Sequence, residues 1–176
     1  MNKYSLENAI CILTPPPSEI DKYNNKSKIP YGIISFTNIN KNKNKNKPNV
    51  QISGNFYYIP KSGLHGFHIH ESGDLTEGCL SLCSHYNPFQ KNHGDKDSEE
   101  KHLGDLGNIE VKEDGSAIFE WIEPTGQLQI KNILGRSLIV HEDSDDLGLG
   151  TFEDSKTTGH SGKRILCGII GVKKSC

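Results

Sequence analysis

The chain has no long apolar run, no C-x-x-C pair and almost no excess of charge of either sign. A membrane-spanning helix needs about 20 predominantly apolar residues, and no stretch supplies them. The N-terminal segment reaches Pro15, Pro16 and Pro17 before an apolar stretch long enough for a secretory leader has formed, so the cytoplasm is the expected location. A formal net charge of −2 over 176 residues is unlike the basic excess of a nucleic-acid binder. No segment carries a helical period of useful length. The five cysteines (Cys11, Cys79, Cys83, Cys167 and Cys176) are an odd number, and in a reducing compartment composition alone predicts free thiols.

Alternation is abundant. Period-two patterns predict strands at 10–13, 31–36, 50–59, 64–70, 108–111, 117–122, 137–141 and 165–172, with Ile52, Gly54, Phe56 and Tyr58 on one face of the third. Asp114-Gly115 suits a tight turn between the fifth and sixth strands. The expected fold is all-β, an eight-stranded sandwich or barrel in one domain spanning 1–176. The Asn/Lys alternation from Asn40 to Lys47 has no aromatic to stack a base and reads as a solvated loop between two strands. The segment 15–30 is an expanded connection. Two longer stretches, 71–105 and 142–163, have no strand character, and loops of that length in a compact domain usually carry function.

Both long loops start beside histidines, and seven of the eight histidines lie between His65 and His141. On a strand, His68 and His70 of His68-Ile69-His70 share a face, two imidazoles on one rigid support. His85, His93, His102 and Asp105 follow in the first loop, a set of three imidazoles and a carboxylate that structural zinc accepts. His141 ends a strand where the second loop begins. Imidazoles without thiolate suit copper(II).

The segment Gly63-Leu64-His65-Gly66-Phe67-His68-Ile69-His70-Glu71-Ser72-Gly73 resembles the first signature of copper/zinc superoxide dismutases, and Gly159-His160-Ser161-Gly162-Lys163-Arg164-Ile165-Leu166-Cys167-Gly168 resembles the second. His85-Tyr86-Asn87-Pro88, Gly104-Asp105-Leu106-Gly107-Asn108 and Val140-His141-Glu142 fall at matching intervals, so the likeness runs from Ala9 to Val172. It implies a Greek-key sandwich with one copper and one zinc per subunit. Copper is then expected on His68, His70, His85 and His141, and zinc on His85, His93, His102 and Asp105, with His85 shared between the two. Asp145 is expected to link His68 to His93. Arg164 is expected to orient the anion, and Cys79 and Cys167 to form a disulfide, overriding the compartment argument. His65 is expected to support structure without ligating, His160 to be exposed, Cys11 to be buried and Cys83 to be a competing thiol close to Cys79.

The implied activity converts two superoxide anions and two protons to oxygen and hydrogen peroxide by copper(II)/copper(I) cycling, with zinc structural. A homodimer is expected, with Leu134, Ile169, Ile170 and Val172 as apolar candidates, and a copper chaperone is a candidate loading partner. Asp143 and Leu149 occupy positions where the family commonly has lysine, and Lys156 is shifted by one residue, so weak steering of superoxide and a shallow salt dependence are expected. The competing reading is a metal-buffering or copper-chaperone-like protein on the same fold. A chaperone should carry an added M-x-C-x-x-C copper(I) domain, which this sequence does not contain, and all the expected ligands and Arg164 are present.

Overall fold

A computed structural model describes residues 7–39, 49–123 and 127–174. The Asn/Lys run and Cys176 lie outside the described residues. The strands are β1 (Asn8–Leu13), β2 (Tyr31–Ile39), β3 (Asn49–Tyr57), β4 (Gly63–His70), β5 (Asp105–Val111), β6 (Ala117–Glu123), β7 (Ser137–His141), β8 (Arg164–Ile169) and β9 (Gly171–Val172). One sheet runs β6-β3-β2-β1-β9 and the other β5-β4-β7-β8, with every pairing antiparallel. Helix is confined to single turns: α1 (Pro17–Ile20), α2 (Ile130–Ile133) and α3 (Ser155–Thr158).

Alternation places the core between the sheets. Ala9, Cys11 and Leu13 of β1, Ile34 and Phe36 of β2, and Val50, Ile52 and Phe56 of β3 face inward from the first sheet and are buried. Phe67 and Ile69 of β4, Leu106 and Ile109 of β5, and Leu138 and Val140 of β7 meet them from the second. Phe67 packs edge-on against Phe56 with ring centroids 6.0 Å apart. Each fully buried side chain of this size stabilises the fold by about 1.5–3 kcal/mol.

The all-β expectation holds, and the described residues form nine strands. The run 165–172 divides because one strand cannot serve both sheets: β8 pairs with β7, Ile170 exchanges backbone hydrogen bonds with Gly135 and Arg136, and β9 pairs with β1. Ile170 therefore fills the core at 1% exposure and cannot serve a dimer interface. Strand β3 stops at Tyr57, because Tyr58 takes a left-handed φ of 60° and is exposed. The turn at Asp114-Gly115 forms through Gly115 alone, at φ 78°, and it carries the chain from one sheet to the other without making a ladder. The flanks of the Asn/Lys run do pair, Ile39 with Asn49.

The middle of the second sheet, along β4 and β7, is buried on both faces. From His65 onward every residue of β4 is buried, as is all of β7. Apolar residues take the inner face, and the outer face, covered by the two long loops, receives the histidines.

Candidate metal centre

Three backbone segments converge on β4. The amide of Ile69 donates to the Gly104 carbonyl, Tyr86 to Ile69 and Gly104 to Tyr86, at 2.8–2.9 Å. Ile69 lies between His68 and His70, Tyr86 follows His85 and Gly104 precedes Asp105, so these bonds fix the spacing of four candidate ligands. The register of β4 on β5 shifts between Gly66 and His68, bringing His68 opposite Asp105. His141 ends β7, whose pairing with β4 runs from Phe67↔Val140 to His70↔Ser137.

The donor atoms of His68, His70, His85 and His141 form one group and those of His85, His93, His102 and Asp105 another, each within 4.8 Å and wholly buried. Every expected ligand is brought in, and His85 belongs to both groups. Its ring lies 4.0 Å from that of His68, centroid to centroid, and its Nδ1 lies 2.8 Å from Asp105 Oδ1.

The far nitrogens of the rings are committed to the protein. His68 Nε2 donates to Asp145 Oδ2 at 2.8 Å, His70 Nδ1 to the Cys83 carbonyl at 2.9 Å and His141 Nδ1 to the Gly162 carbonyl at 3.1 Å. These bonds select the tautomer that leaves a lone pair on the other nitrogen. Those other nitrogens, His68 Nδ1, His70 Nε2 and His141 Nε2, together with His85 Nε2, are buried without a hydrogen bond. An unsatisfied buried polar group costs about 1–3 kcal/mol, and four at one point fit a cation that accepts nitrogen donors. On the other side the Nδ1 atoms of His85, His93 and His102 stand 2.8, 3.0 and 3.2 Å from Asp105 Oδ1. That three-imidazole, one-carboxylate set fits zinc.

Asp145 accepts from His68 at Oδ2 and from His93 Nε2 at Oδ1, 2.7 Å, joining the two groups as expected. Gly159, at φ 67°, lies over it, and a Cβ there would stand 2.0 Å from Asp145 Oδ1. Sequence reading gave Asn108 no role, although it stands inside a matched motif. Its side chain accepts from Asp145 N at 2.7 Å and donates to Asp145 O at 2.9 Å, holding that aspartate like a base-paired edge. The Cys83 and Gly162 carbonyls were also missed, since main-chain acceptors leave no mark in a sequence.

His65 is fully buried, with its ring nitrogens 2.8 Å from the His141 carbonyl and 2.9 Å from that of Lys61, so it braces the strand end without ligating. His160 is exposed, stacked on Phe152 and paired with Asp154. Cys79 and Cys167 form the disulfide. Cys11 is buried and its thiol is pushed up to about 12, while Cys83 is exposed and unbridged. Arg164 grips the disulfide turn, donating to the carbonyls of Cys79 (2.8 Å), Leu80 (3.3 Å) and Cys83 (2.6 Å).

Burial and mutual repulsion hold His68, His70 and His85 below the ordinary imidazole range, and burial takes His141 down to about 4. Burial also opposes charge on His93, but Asp105 and Asp145 outweigh it and raise that ring to about 9. In metal-free protein the depressed rings contribute stability that is present above pH 6.5 and lost as pH falls toward 4. His93 contributes stability that is full below pH 6.5 and lost as pH rises through 9. Thermal melts of the metal-free protein are therefore expected to peak near pH 6.5. A Tm rising steadily from pH 6.5 to 9 contradicts this.

A family model for copper/zinc superoxide dismutase matches residues 30–170. The Cu-Zn superoxide dismutase of Paramecium bursaria Chlorella virus 1 is 48% identical over 126 residues, covering 71% of this chain and 67% of that protein. The extracellular Cu-Zn enzyme of Drosophila melanogaster is 51% identical over 117 residues, 64% of this chain and 63% of that one. Cu-Zn superoxide dismutase 5 of Dictyostelium discoideum is 50% identical over 115 residues, 65% of this chain and 76% of that protein. Among solved structures, the crystal structure of the clock protein EA4 is similar at a TM-score of 0.79 and 31% identity, covering 98% of this chain and 99% of that one. With a family match over most of its length and two donor sets joined through one imidazole, this chain belongs to the copper/zinc superoxide dismutase family.

Proposed function

We propose that the chain dismutes superoxide at the His68, His70, His85 and His141 group, which would hold copper, while His85, His93, His102 and Asp105 would hold zinc. The observation that carries this division is the set of four buried imidazole nitrogens without a hydrogen bond on one side and the carboxylate-centred set on the other. When bound, copper supplies one-electron exchange in both directions and zinc supplies fixed charge without redox chemistry.

The protein's own groups do the rest. Arg164 presents a planar guanidinium held in place by three main-chain carbonyls, where it can orient a small anion. His85 Nε2 has no protein partner, so it is the atom placed to hold a proton between the two half-reactions. Asp145 keeps the outer nitrogens of His68 and His93 as donors, so neither ring can turn. The residues of both donor sets are all buried.

Protein loaded with copper and zinc should dismute superoxide rapidly, and the rate should vanish on selective removal of copper. Full occupancy of both sites without dismutation sinks the reading in favour of metal buffering, which no observation otherwise favours. Replacing Arg164 by alanine should lower the rate about 10- to 100-fold at unchanged metal content, the range of a lost charge-assisted contact. An unchanged rate returns Arg164 to a purely structural role on the disulfide turn.

We further propose a cytoplasmic homodimer. No helix among the described residues is long and apolar enough to cross a membrane. Ile12 on β1, Val172 on β9 and Leu80 on the disulfide turn are 58%, 49% and 75% exposed, apolar groups suited to a second copy. Sedimentation at micromolar concentration gives the mass directly, and a monomer removes the dimer from the reading.

A further inference from the structure

The connection from β1 to β2 builds a wall that the metal centre does not use. Pro16 packs against Gly78, beside Cys79, so closely that a Cβ on Gly78 would stand 2.9 Å from it. Between this wall and the edge of the site lies a cleft of about 600 Å³ that reaches Arg164, and its other charged lining residues are Glu19, Lys22, Glu77, Glu142 and Lys163.

These charges are not equally available. Lys22 is paired with Glu19 on α1. Arg164 is half-buried and spends its donors on three carbonyls. Lys163 is exposed and, among the described residues, has no carboxylate within ion-pair distance. Its backbone is nonetheless fixed. Its carbonyl accepts from the Glu142 amide at 2.8 Å, and the neighbouring Gly162 carbonyl accepts from His141 Nδ1. On the second long loop, Asp143 holds Lys61 at 2.7 Å, which neutralises that lysine, and Leu149 is 81% exposed and uncharged.

We propose that Lys163, exposed beside Arg164 in this cleft, steers superoxide to Arg164, and that Glu142 in the same cleft opposes it. The inference rests on the dismutase reading and adds a residue that raises the encounter rate. A unit charge about 10 Å from the path of an anion in water changes its local concentration about twofold, and reversing that charge changes it about fourfold. The effect fades once the screening length falls well below that distance.

The test uses the copper- and zinc-loaded protein as wild type, Lys163→Gln, Lys163→Glu, Glu142→Gln and Lys131→Gln, the last a charge-matched control on α2 outside the cleft. Two readouts are taken across ionic strength: the bimolecular rate with superoxide, and the affinity for azide followed by the copper absorption spectrum. At low salt the rate should fall about twofold in Lys163→Gln and about fourfold in Lys163→Glu. It should rise about twofold in Glu142→Gln and stay unchanged in Lys131→Gln. Azide affinity should follow the same order, and all differences should vanish at high salt. Lys163 variants that match wild type in both readouts at low salt overturn the proposal, as does an equal fall in Lys131→Gln. If wild type fails to dismute superoxide while azide affinity still follows Lys163, the dismutase reading falls and the steering role stands.

Discussion

Replacing His85 with alanine is expected to abolish dismutation, with a rate more than about a hundredfold below wild type. Removing partners that merely orient ligands costs 10- to 100-fold in affinity or activity, and His85 is itself a member of both donor sets. The change takes one donor from the four-imidazole group and one from the group around Asp105. It also removes one of the three rings that hold the Asp105 carboxyl below the usual carboxylate range against the effect of its burial. Metal content after loading should fall at both sites, and the activity per remaining copper should fall with it. A rate within tenfold of wild type at full copper content would show that the shared ring is dispensable.

The largest effect on stability is expected from Cys167→Ser. The disulfide closes a chain segment of 88 residues and ties the first long loop to β8. Loop-entropy arguments assign such a closure roughly 4 kcal/mol. For a chain of this size that corresponds to a fall of about 10 °C in Tm, read on metal-free protein so that ligand binding does not mask it. The bond also anchors the turn that offers its carbonyls to Arg164, so the variant should lose activity beyond what unfolding explains. An unchanged melting temperature means the unfolded chain is already constrained in that region. Cys167 is the better position to change than Cys79, because Cys83 remains free beside Cys79 and offers a second partner for Cys167.

The pairing of His68 with His70 was legible because it follows strand arithmetic, while the division of the ligands and the roles of Asp145 and Arg164 were legible only through the family resemblance. His68-Ile69-His70 had to place two imidazoles on one face, and the buried Ile69 shows where the opposite face points. His141, at the end of β7, and Asp105, at the start of β5, were legible as loop boundaries. What escaped the reading is carried by the main chain or by long-range geometry. The division of the last run into β8 and β9 depends on which sheet each half can reach, and that is decided by Gly135 and Arg136, far away in sequence. Tyr58 reads as a strand residue by alternation, yet its backbone turns left-handed as the chain leaves the first sheet. The Cys83 carbonyl receives both His70 and Arg164, and no side-chain pattern announces an acceptor that every residue possesses. The lack of lysine at 143 and 149 could be noticed in the sequence, but the pairing of Asp143 with Lys61 needed coordinates.

The bonds among Ile69, Tyr86 and Gly104 tie the chain together at the neck of the loop that runs from 87 to 103. His93 and His102 lie on that excursion, whereas His68, His70 and His85 lie on the knotted side of the neck. His93 is nonetheless moored from outside that neck, its amide donating to the Lys156 carbonyl at 2.8 Å and its Nε2 to Asp145. The inner three imidazoles are thus spaced by bonds of the main chain, whereas His93 hangs on a clasp between the two long loops. A change in the second loop therefore reaches the outer donor set before the inner one.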